Sequence, residues 1–397
     1  MYLPRRLRAT FDAACQGFPA VLVTGPRQSG KTTFLRRTLS DDAGYVTFDD
    51  PVEVAYARDD PNGFLDRFAG RPVALDEIQY VPELLPYIKM RIDMQRHICG
   101  RFLLTGSQQF ALMQGVTESL AGRVAVLELL PLSEFELGVG DTTLAQTLWL
   151  GGYPEPRLNP AIRDLWVRSY LRTYLERDVR QVRDIQDMRA FEQFLGLLAA
   201  RHGQEFEKAS LARDCGVSQP TIAQWVSVLA ASYAVFLLPP WHRNLGKRLI
   251  KRPKLYFLDP ALVCTLTRQP SAEAARAGPL GGPLLEGVVV AEAVKLFAAL
   301  GQSAPCFFWR DRSGLEVDLL LELAGGVVPV EIKSTATPTV GHTRPLRRLR
   351  ELIGEQCAAG LLVCNISEPR ELPGGVIALP WRHWPRWLAE TVLRAHP

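Results

Sequence analysis

A glycine-rich run near the N-terminus combines the residue types that bind nucleotide phosphates. It comprises Gly25, Pro26, Arg27, Gln28, Ser29, Gly30, Lys31, Thr32 and Thr33. The glycines let the backbone curl so that its N–H groups face phosphate oxygens, while Lys31 reaches the terminal phosphates and Thr32 offers a hydroxyl to Mg²⁺. The apolar segment 20–24 precedes the run and a helical pattern follows it, which is the context that GxxxxGK[ST] requires. The sequence therefore predicts a site for ATP and Mg²⁺, with Lys31 acting in catalysis.

A second group of candidate residues follows the apolar segment 72–75. Asp76 ends this predicted strand and is expected to accept Mg²⁺. The adjacent Glu77 is expected to act as the general base that polarises the attacking water. An apolar run followed by Asp-Glu is common by itself and then marks a strand ending in a turn. The phosphate-binding run upstream favours the catalytic interpretation.

Two further side chains are candidates for the same reaction. Ser107 follows a third apolar segment, 101–104, and its hydroxyl is expected to touch the γ-phosphate or the water. The alternative is a simple turn at the end of a strand. Arg123 precedes the apolar segment 124–130 and is a candidate arginine finger for the nucleotide of a neighbouring subunit. An internally paired or solvated arginine is the alternative there.

Four ionisable residues in the C-terminal third have the order of a metal-dependent phosphodiester site. Glu286 lies in a helical pattern, Asp318 in a strand pattern, and Glu331 and Lys333 in the next strand, after a Gly325-Gly326 turn. Adjacent strands would bring Asp318 and Glu331 together on a divalent cation, and the period of two places Lys333 on the face of Glu331. This order resembles the PD-(D/E)xK restriction-endonuclease-like fold. An exposed E-x-K alternation, or the fold without cleavage, is the alternative.

The middle of the chain predicts a winged helix. The segment 209–229 fits a helix-turn-helix with Gly216 at the turn and Ser218 as N-cap, and 236–241 is the predicted wing strand. The exposed positions of the second helix are expected to be Gln219, Thr221, Gln224 and Trp225. Such side chains can meet DNA, whereas many winged helices only pack or bind proteins. Both interpretations stay open.

Two basic clusters stand beside these modules. The first, without an acid, comprises Arg243, Lys247, Arg248, Lys251, Arg252 and Lys254, and the second comprises Arg344, Arg347, Arg348 and Arg350. Each is either a solvated face or a phosphate-binding stripe for DNA.

The composition is that of a globular chain. The 397 residues carry 46 basic side chains, 38 of them Arg, against 42 acidic ones, and 47% of the residues are hydrophobic. This excludes a disordered or fibrous protein and predicts two to four domains. Seven scattered cysteines without a CxxC pair are typical of reduced cytosolic thiols. Without an apolar stretch of membrane-spanning length, the chain is expected to be cytoplasmic and to have no membrane partner.

Several stretches together resemble a known family. GPRQSGKTT, ALDEIQ, FLLTGS and ESLAGR, followed by GGYP and YLRTYLERD, are similar to prokaryotic AAA+-type, AAA_14-like ATPases with a C-terminal DUF4143 domain. The resemblance covers nearly the whole chain. It implies ATP hydrolysis and a homo-oligomer, with a hexameric ring as one form.

The predicted fold is α/β: a P-loop ATPase with a parallel central sheet, a helical lid and winged helix, and a mixed α/β endonuclease-like domain. The predicted domains are 1–145, 146–190, 191–250 and 251–397. The leading functional hypothesis is an ATP-hydrolysing protein that acts on DNA by remodelling or branched-DNA processing. The alternatives are an ATP-dependent signalling or scaffold switch with a protein partner, and an ATP-regulated nuclease with a second divalent metal.

Overall fold

The computed structural model describes residues 2–107, 116, 118–138, 140, 142–175, 188–242 and 252–395. These residues form two compact units. The first contains the residues up to Leu132 with two short insertions, Ala231–Tyr233 and Phe297–Gln302. The second contains Ser133–Ala230, Ala234–Leu296 and the residues from Ser303 onward.

The first unit contains a five-stranded sheet. Its strands are β1 (Ala20–Thr24), β2 (Gly44–Thr47), β3 (Val73–Asp76), β4 (Phe102–Thr105) and β5 (Val124–Glu128). The order is β2-β3-β4-β1-β5, and every neighbouring pair is parallel. Because β4 lies between β1 and β3, the carboxyl ends of these three strands meet at one edge. The predicted parallel central sheet is confirmed.

Helices cover both faces of this sheet. They are α1 (Arg8–Gly17), α2 (Lys31–Thr38), α3 (Pro51–Asp59), α4 (Pro61–Asp66) and α5 (Leu85–Met94). The residues of β1, β3 and β4 are all buried. Strands that are enclosed on both faces are continuous apolar runs. The positions of these three strands can therefore be predicted from the sequence.

The N-terminal part of the second unit is helical. Its helices are α6 (Glu134–Leu137), α7 (Leu144–Leu150), α8 (Pro154–Leu158), α9 (Arg163–Tyr170), α10 (Met188–Ala200), α11 (Lys208–Cys215) and α12 (Gln219–Ala231). A π-helical turn, Leu171–Leu175, follows α9.

The helix-turn-helix is present as α11 and α12. Gly216 has φ 68°, which suits a glycine at the end of α11. The Ser218 hydroxyl accepts a hydrogen bond from the backbone N–H of Thr221 at 3.2 Å, as expected of an N-cap. The expected exposure of Trp225 is wrong: its ring is buried against Phe191 and Phe194 of α10.

Two antiparallel strands follow the helix-turn-helix, β6 (Val235–Leu238) and β7 (Lys254–Phe257). The first lies where the sequence predicts a wing strand but ends before Trp241. The intervening cluster members Arg243, Lys247, Arg248 and Lys251 lie outside the described residues.

The C-terminal part of the second unit contains a mixed six-stranded sheet. Its strands are β8 (Cys306–Arg310), β9 (Glu316–Leu323), β10 (Gly326–Lys333), β11 (Leu361–Cys364), β12 (Arg370–Leu372) and β13 (Val376–Pro380). The order is β12-β13-β11-β10-β9-β8, with β10, β11 and β13 parallel and the other pairs antiparallel. The expected β9–β10 hairpin and the mixed C-terminal sheet are confirmed.

The remaining helices are α13 (Pro260–Leu266), α14 (Ala272–Ala277), α15 (Gly281–Ala299), α16 (Arg344–Ile353) and α17 (Trp384–Ala395). Short 3₁₀ turns connect several elements. Within the described residues, no helix combines the length and apolar character needed to cross a bilayer.

Candidate functional site

The glycine-rich run forms a tight loop between β1 and α2. Gly25 has φ 143°, and a Cβ built on it would lie 2.3 Å from the backbone oxygen of Leu129, so only glycine fits. Gly30 has φ 96° and caps the N-terminus of α2. Gln28 also has a positive φ, 62°, which a residue with a side chain adopts only at a cost. The loop thus has the curled backbone expected of a phosphate site.

The polar groups of this loop fit a phosphate ligand. Lys31 is 5% exposed, and its Nζ donates to the carbonyl oxygens of Gly25 at 3.1 Å and Pro26 at 2.9 Å. The Ser29 hydroxyl is fully buried and has no hydrogen-bond partner among the described residues. Thr32 is half-buried at the first turn of α2. A buried cation and an unpartnered hydroxyl at a helix N-terminus are suited to bind an anion.

Asp76 is held by two hydroxyl groups. Tyr45 on β2 donates to its Oδ2 at 2.7 Å, and Thr105 at the end of β4 donates to its Oδ1. Asp76 is 1% exposed at the edge of the sheet where β1 also ends. Burial and the Asp76 carboxylate raise the pKa of Tyr45 to about 12. The two hydroxyls therefore fix the orientation of the Asp76 carboxylate, which lies at the carboxyl edge of the sheet where the phosphate-binding loop begins.

Glu77 has an unusual backbone conformation. Its φ is 59°, and its N–H donates to the Thr105 hydroxyl at 3.1 Å. The amide of Gln79 donates to Oε2 of Glu77 and lies 3.3 Å from the Ser107 hydroxyl. Gln79 thus links Ser107 to the expected base, Glu77. Strained residues that the surroundings hold in place are frequent at active sites.

Arg123 lies at the amino end of β5, at the opposite edge of the sheet from the loop. Its Nε lies 2.6 Å from Oδ1 of Asp93 and its second terminal nitrogen 3.2 Å from Oδ2. The Arg123 guanidinium is therefore hydrogen-bonded to Asp93 of its own chain. These hydrogen bonds lower the pKa of the Asp93 carboxyl. The arginine-finger role stays a prediction.

A second cluster of charged residues lies in the second unit. The carboxylate oxygens of Glu286, Glu316 and Asp318 lie within 4.8 Å of one another. Nζ of Lys254 on β7 lies 2.9 Å from Oε1 of Glu286 and also contacts Glu316. The Tyr256 hydroxyl donates to the same Glu286 oxygen. We call the four carboxylates Glu286, Glu316, Asp318 and Glu331, with Lys254 and Lys333, the acidic centre.

Glu331 and Lys333 complete the acidic centre from β10. Nζ of Lys333 lies 2.6 Å from Oε1 of Glu331 and 3.4 Å from Oδ2 of Asp318. The backbone N–H of Ile332 donates to the same Asp318 oxygen at 2.8 Å. Burial, together with the neighbouring Asp318 carboxylate, raises the pKa of both Glu286 and Glu331. The structure therefore brings together all four C-terminal residues that the sequence singled out.

The basic clusters have mixed outcomes. The expectation that Lys254 belongs to a phosphate-binding stripe is wrong, because its side chain is buried among carboxylates. Arg252 forms an ion pair with Glu207. The members of the second cluster, Arg344, Arg347, Arg348 and Arg350, lie on α16, and all four are exposed. The DNA-backbone role of that second cluster stays a prediction.

Sequence reasoning missed five residues of these sites. They are Tyr45, Gln79, Thr105, Lys254 and Glu316. Thr105 could have been found as the polar end of an apolar strand, and Glu316 by its spacing of two from Asp318 on one strand. Tyr45, Gln79 and Lys254 carry no such local signal, because only the fold brings them to their partners.

Comparison with known proteins supports this architecture. Three family models match the chain: an AAA domain (AAA_14) over 17–138, a domain of unknown function (DUF8612) over 141–273, and a domain of unknown function (DUF4143) over 281–384. A solved structure, the Walker-type ATPase PABY2304 of Pyrococcus abyssi, has a TM-score of 0.45 and 16% identity over 67% of this chain and 96% of that chain. A likeness at that level adds nothing to the assignment.

Two relatives extend over most of the chain. They are the uncharacterized proteins Mb2031c of Mycobacterium bovis and Rv2008c of Mycobacterium tuberculosis. Each is 34% identical over 381 residues, which is 94% of this chain and 82% of the relative. The chain belongs to the same family as these two mycobacterial proteins and is a P-loop ATPase of the AAA type with a C-terminal DUF4143 domain.

Proposed function

We propose that this protein hydrolyses ATP and acts on DNA. The observation that carries hydrolysis is the meeting of the phosphate-binding loop, Asp76 and Glu77 at the carboxyl edge of one parallel sheet. The backbone of the loop and Lys31 bind the phosphates, and Thr32 and Asp76 would hold Mg²⁺, which would neutralise charge on the phosphates. Glu77 accepts a proton from the attacking water.

The test of hydrolysis compares two variants of the full chain. Lys31→Ala should abolish nucleotide binding, whereas Glu77→Gln should keep it and lower the rate roughly 10²- to 10⁴-fold, since only the base is lost. Binding is measured with a fluorescent ATP analogue and turnover by phosphate release. Unchanged turnover in Glu77→Gln would exclude Glu77 as the base.

The proposal of DNA as the partner is supported by the second unit. Asp318 and Glu331 form a carboxylate pair suited to a divalent cation, and Lys333, which is 39% exposed beside them, can stabilise charge on a phosphodiester. Four arginines lie close together on α16. ATP turnover should be measured with single-stranded, duplex and branched DNA. Stimulation by one form, weakened by salt, supports the proposal; equal rates with all three and without DNA contradict it.

Metal-dependent strand cleavage is an alternative function of the same acidic centre. Glu331 has a buried carboxylate oxygen, Oε2, that lacks a hydrogen-bond partner among the described residues, and this fits a metal ligand. A bound divalent ion would act as a Lewis acid on the phosphate. Cleavage that requires Mg²⁺ or Mn²⁺ and disappears in both Asp318→Ala and Lys333→Ala supports this role. Cleavage that persists in both variants would exclude the acidic centre as its source.

The second candidate function is a nucleotide-controlled switch with a protein partner. The observation in its favour is the ion pair between Arg123 and Asp93, because an arginine held in its own chain does not reach a neighbour's nucleotide in this conformation. Arg123→Ala is measured for turnover and for size on a gel-filtration column, with and without ATP. A monomer with unchanged turnover favours the switch. Loss of both turnover and ATP-dependent assembly favours the ring ATPase.

A further inference from the structure

The acidic centre contains a buried ammonium group where its carboxylates are most crowded. Lys254 is 4% exposed, and its Nζ contacts both Glu286 and Glu316. These are two of the three carboxylates whose oxygens lie within 4.8 Å of one another, the third being Asp318. The Tyr256 hydroxyl also donates to Glu286 and fixes its orientation. Lys254 therefore occupies the position from which a metal ion would contact Glu286 and Glu316.

The other half of the centre is arranged differently. Glu331 is 2% exposed and keeps Oε2 without a hydrogen-bond partner among the described residues. Its other oxygen contacts Lys333, whose half-exposed side chain can move toward solvent. A buried carboxylate oxygen without a donor is costly unless a cation compensates it. The Lys333 ammonium lies 3.4 Å from Oδ2 of Asp318 and 2.6 Å from Oε1 of Glu331, so a metal ion on these two carboxylates would displace it toward solvent.

The charges of the centre agree with one divalent ion. Four carboxylates face the two ammonium groups of the centre, and the Arg310 guanidinium lies 3.9 Å from Oε2 of Glu316, so carboxylate groups are in excess. The excess of carboxylate charge can compensate a first divalent cation, whereas a second is compensated less well as long as the Lys254 ammonium is present.

We propose that Lys254 is a built-in cation that fills one half of the acidic centre, so that the centre binds a single divalent metal ion, on Asp318 and Glu331. This inference rests on the metal-binding role proposed above. In two-metal sites the ions lie about 3.5–4 Å apart and stabilise the attacking and leaving oxygens together. Here Asp318 lies between the two halves, and the Lys254 ammonium takes the place of the second ion. Lys333 remains to face the substrate.

The test counts bound Mn²⁺ in the full chain without nucleotide. All proteins carry Asp76→Asn, so that the ATP site does not contribute. The parent protein should bind one Mn²⁺, and Lys254→Met should bind two, because Glu286 and Glu316 lose their cation. Lys295→Met is the matched control: it removes another buried ammonium, paired with Glu292 on α15, and should leave the count at one. Titration calorimetry and electron paramagnetic resonance give the counts.

The outcomes separate this inference from the proposed metal centre. If the parent binds no Mn²⁺, the metal centre itself is excluded. If the parent binds two, or if Lys254→Met still binds one, the metal centre stands and the role of Lys254 is overturned.

A second pair of variants keeps the test valid if Lys254→Met does not fold. Glu331→Gln should weaken Mn²⁺ binding at least about tenfold, whereas Glu316→Gln should leave the affinity nearly unchanged, because Glu316 serves Lys254 and not the metal. Equal weakening by both changes would place the ion among Glu286, Glu316 and Asp318 and overturn the proposal.

Discussion

One hydroxyl group joins the two acidic residues of the candidate ATP site. The Thr105 hydroxyl donates to Asp76 and accepts the backbone N–H of Glu77. Thr105 is fully buried, so water does not replace these bonds. The side chain thereby fixes the direction of the Asp76 carboxylate and the strained backbone of Glu77, which are the proposed metal ligand and the proposed base.

Thr105→Val should lower ATP turnover roughly 10- to 100-fold with little effect on ATP binding, since an orienting partner is lost and a buried N–H is left unpaired. Thr105→Ser keeps the hydroxyl and serves as the control. Steady-state kinetics and nucleotide titration measure the two effects. Reduced ATP binding with unchanged turnover in Thr105→Val would show that Thr105 acts in nucleotide binding instead.

Glu292 on α15 is a buried carboxylate with a structural role. Both its oxygens accept the backbone N–H of Glu134, at 3.1 and 3.0 Å, at the start of α6. Burial raises the pKa of Glu292 to about 7, although Lys295 acts in the opposite direction. The folded state therefore holds this proton more tightly than the unfolded chain, where the pKa is about 4.3.

Below the pKa of the unfolded chain, protonated Glu292 contributes its full stabilisation. This stabilisation is lost as the pH rises through about 7, the pKa in the folded state. Glu292→Gln should remove this part of the pH dependence, so that Tm falls less between about pH 5 and pH 8 than in the parent. The exposed Glu390, paired with Arg386 on α17, supplies the control Glu390→Gln. The same slope in parent and Glu292→Gln would contradict the prediction.

At the scale of elements, α15 is a largely enclosed helix of the acidic centre. It carries Glu286, and one face of it contacts His202, whose Nδ1 accepts the backbone N–H of Phe257. A Cβ at Gly287 would lie 2.1 Å from Nε2 of that histidine. The absence of a side chain at Gly287 thus sets how closely α15 approaches His202.

Gly287→Ala should destabilise the protein by about 1–3 kcal/mol through overpacking. Gly196 lies in the interior of α10, and a Cβ added there would meet no atom within 4 Å. Gly196→Ala should therefore be neutral or stabilising by about 0.5–1 kcal/mol. Urea unfolding compares the two. Equal effects would show that helix propensity, and not the contact with His202, decides the outcome.

The elements differ in how well the sequence predicts them. The buried parallel strands β1, β3 and β4 are short apolar runs with polar ends, so pattern alone locates them. The β9–β10 hairpin follows from alternation and a glycine turn. The burial of Trp225 could not be predicted, because a helix surface becomes an interior face only when α10 packs on it.

At the scale of the whole molecule, the order of the motifs along the chain predicts the AAA-type ATPase and the C-terminal DUF4143 domain, and both are confirmed. The domain borders at 145, 190 and 250 stay predictions. The location of Lys254 shows what pattern cannot supply. In the sequence it closes a basic run, whereas in the fold its neighbours come from α15 and β9.

The N-terminal segment supports the phosphate-binding loop. Arg5 is 8% exposed and donates to the backbone oxygen of Ser29 at 2.8 Å and to that of Leu130. A chain shortened to begin at Leu7 should bind ATP more weakly, because the phosphate-binding loop loses this support. A chain that begins at Pro4 retains Arg5 and should bind normally. Equal affinities would show that the loop is rigid by itself.

The contact of Arg5 has a practical meaning for anyone who attaches a label or an affinity tag. An extension fused directly ahead of Arg5 adds mass and charge close to the phosphate-binding loop, although that loop begins 20 residues later in the sequence. A label at the other terminus avoids this attachment point. Measurements of ATP turnover are therefore best interpreted on protein whose first residues are native.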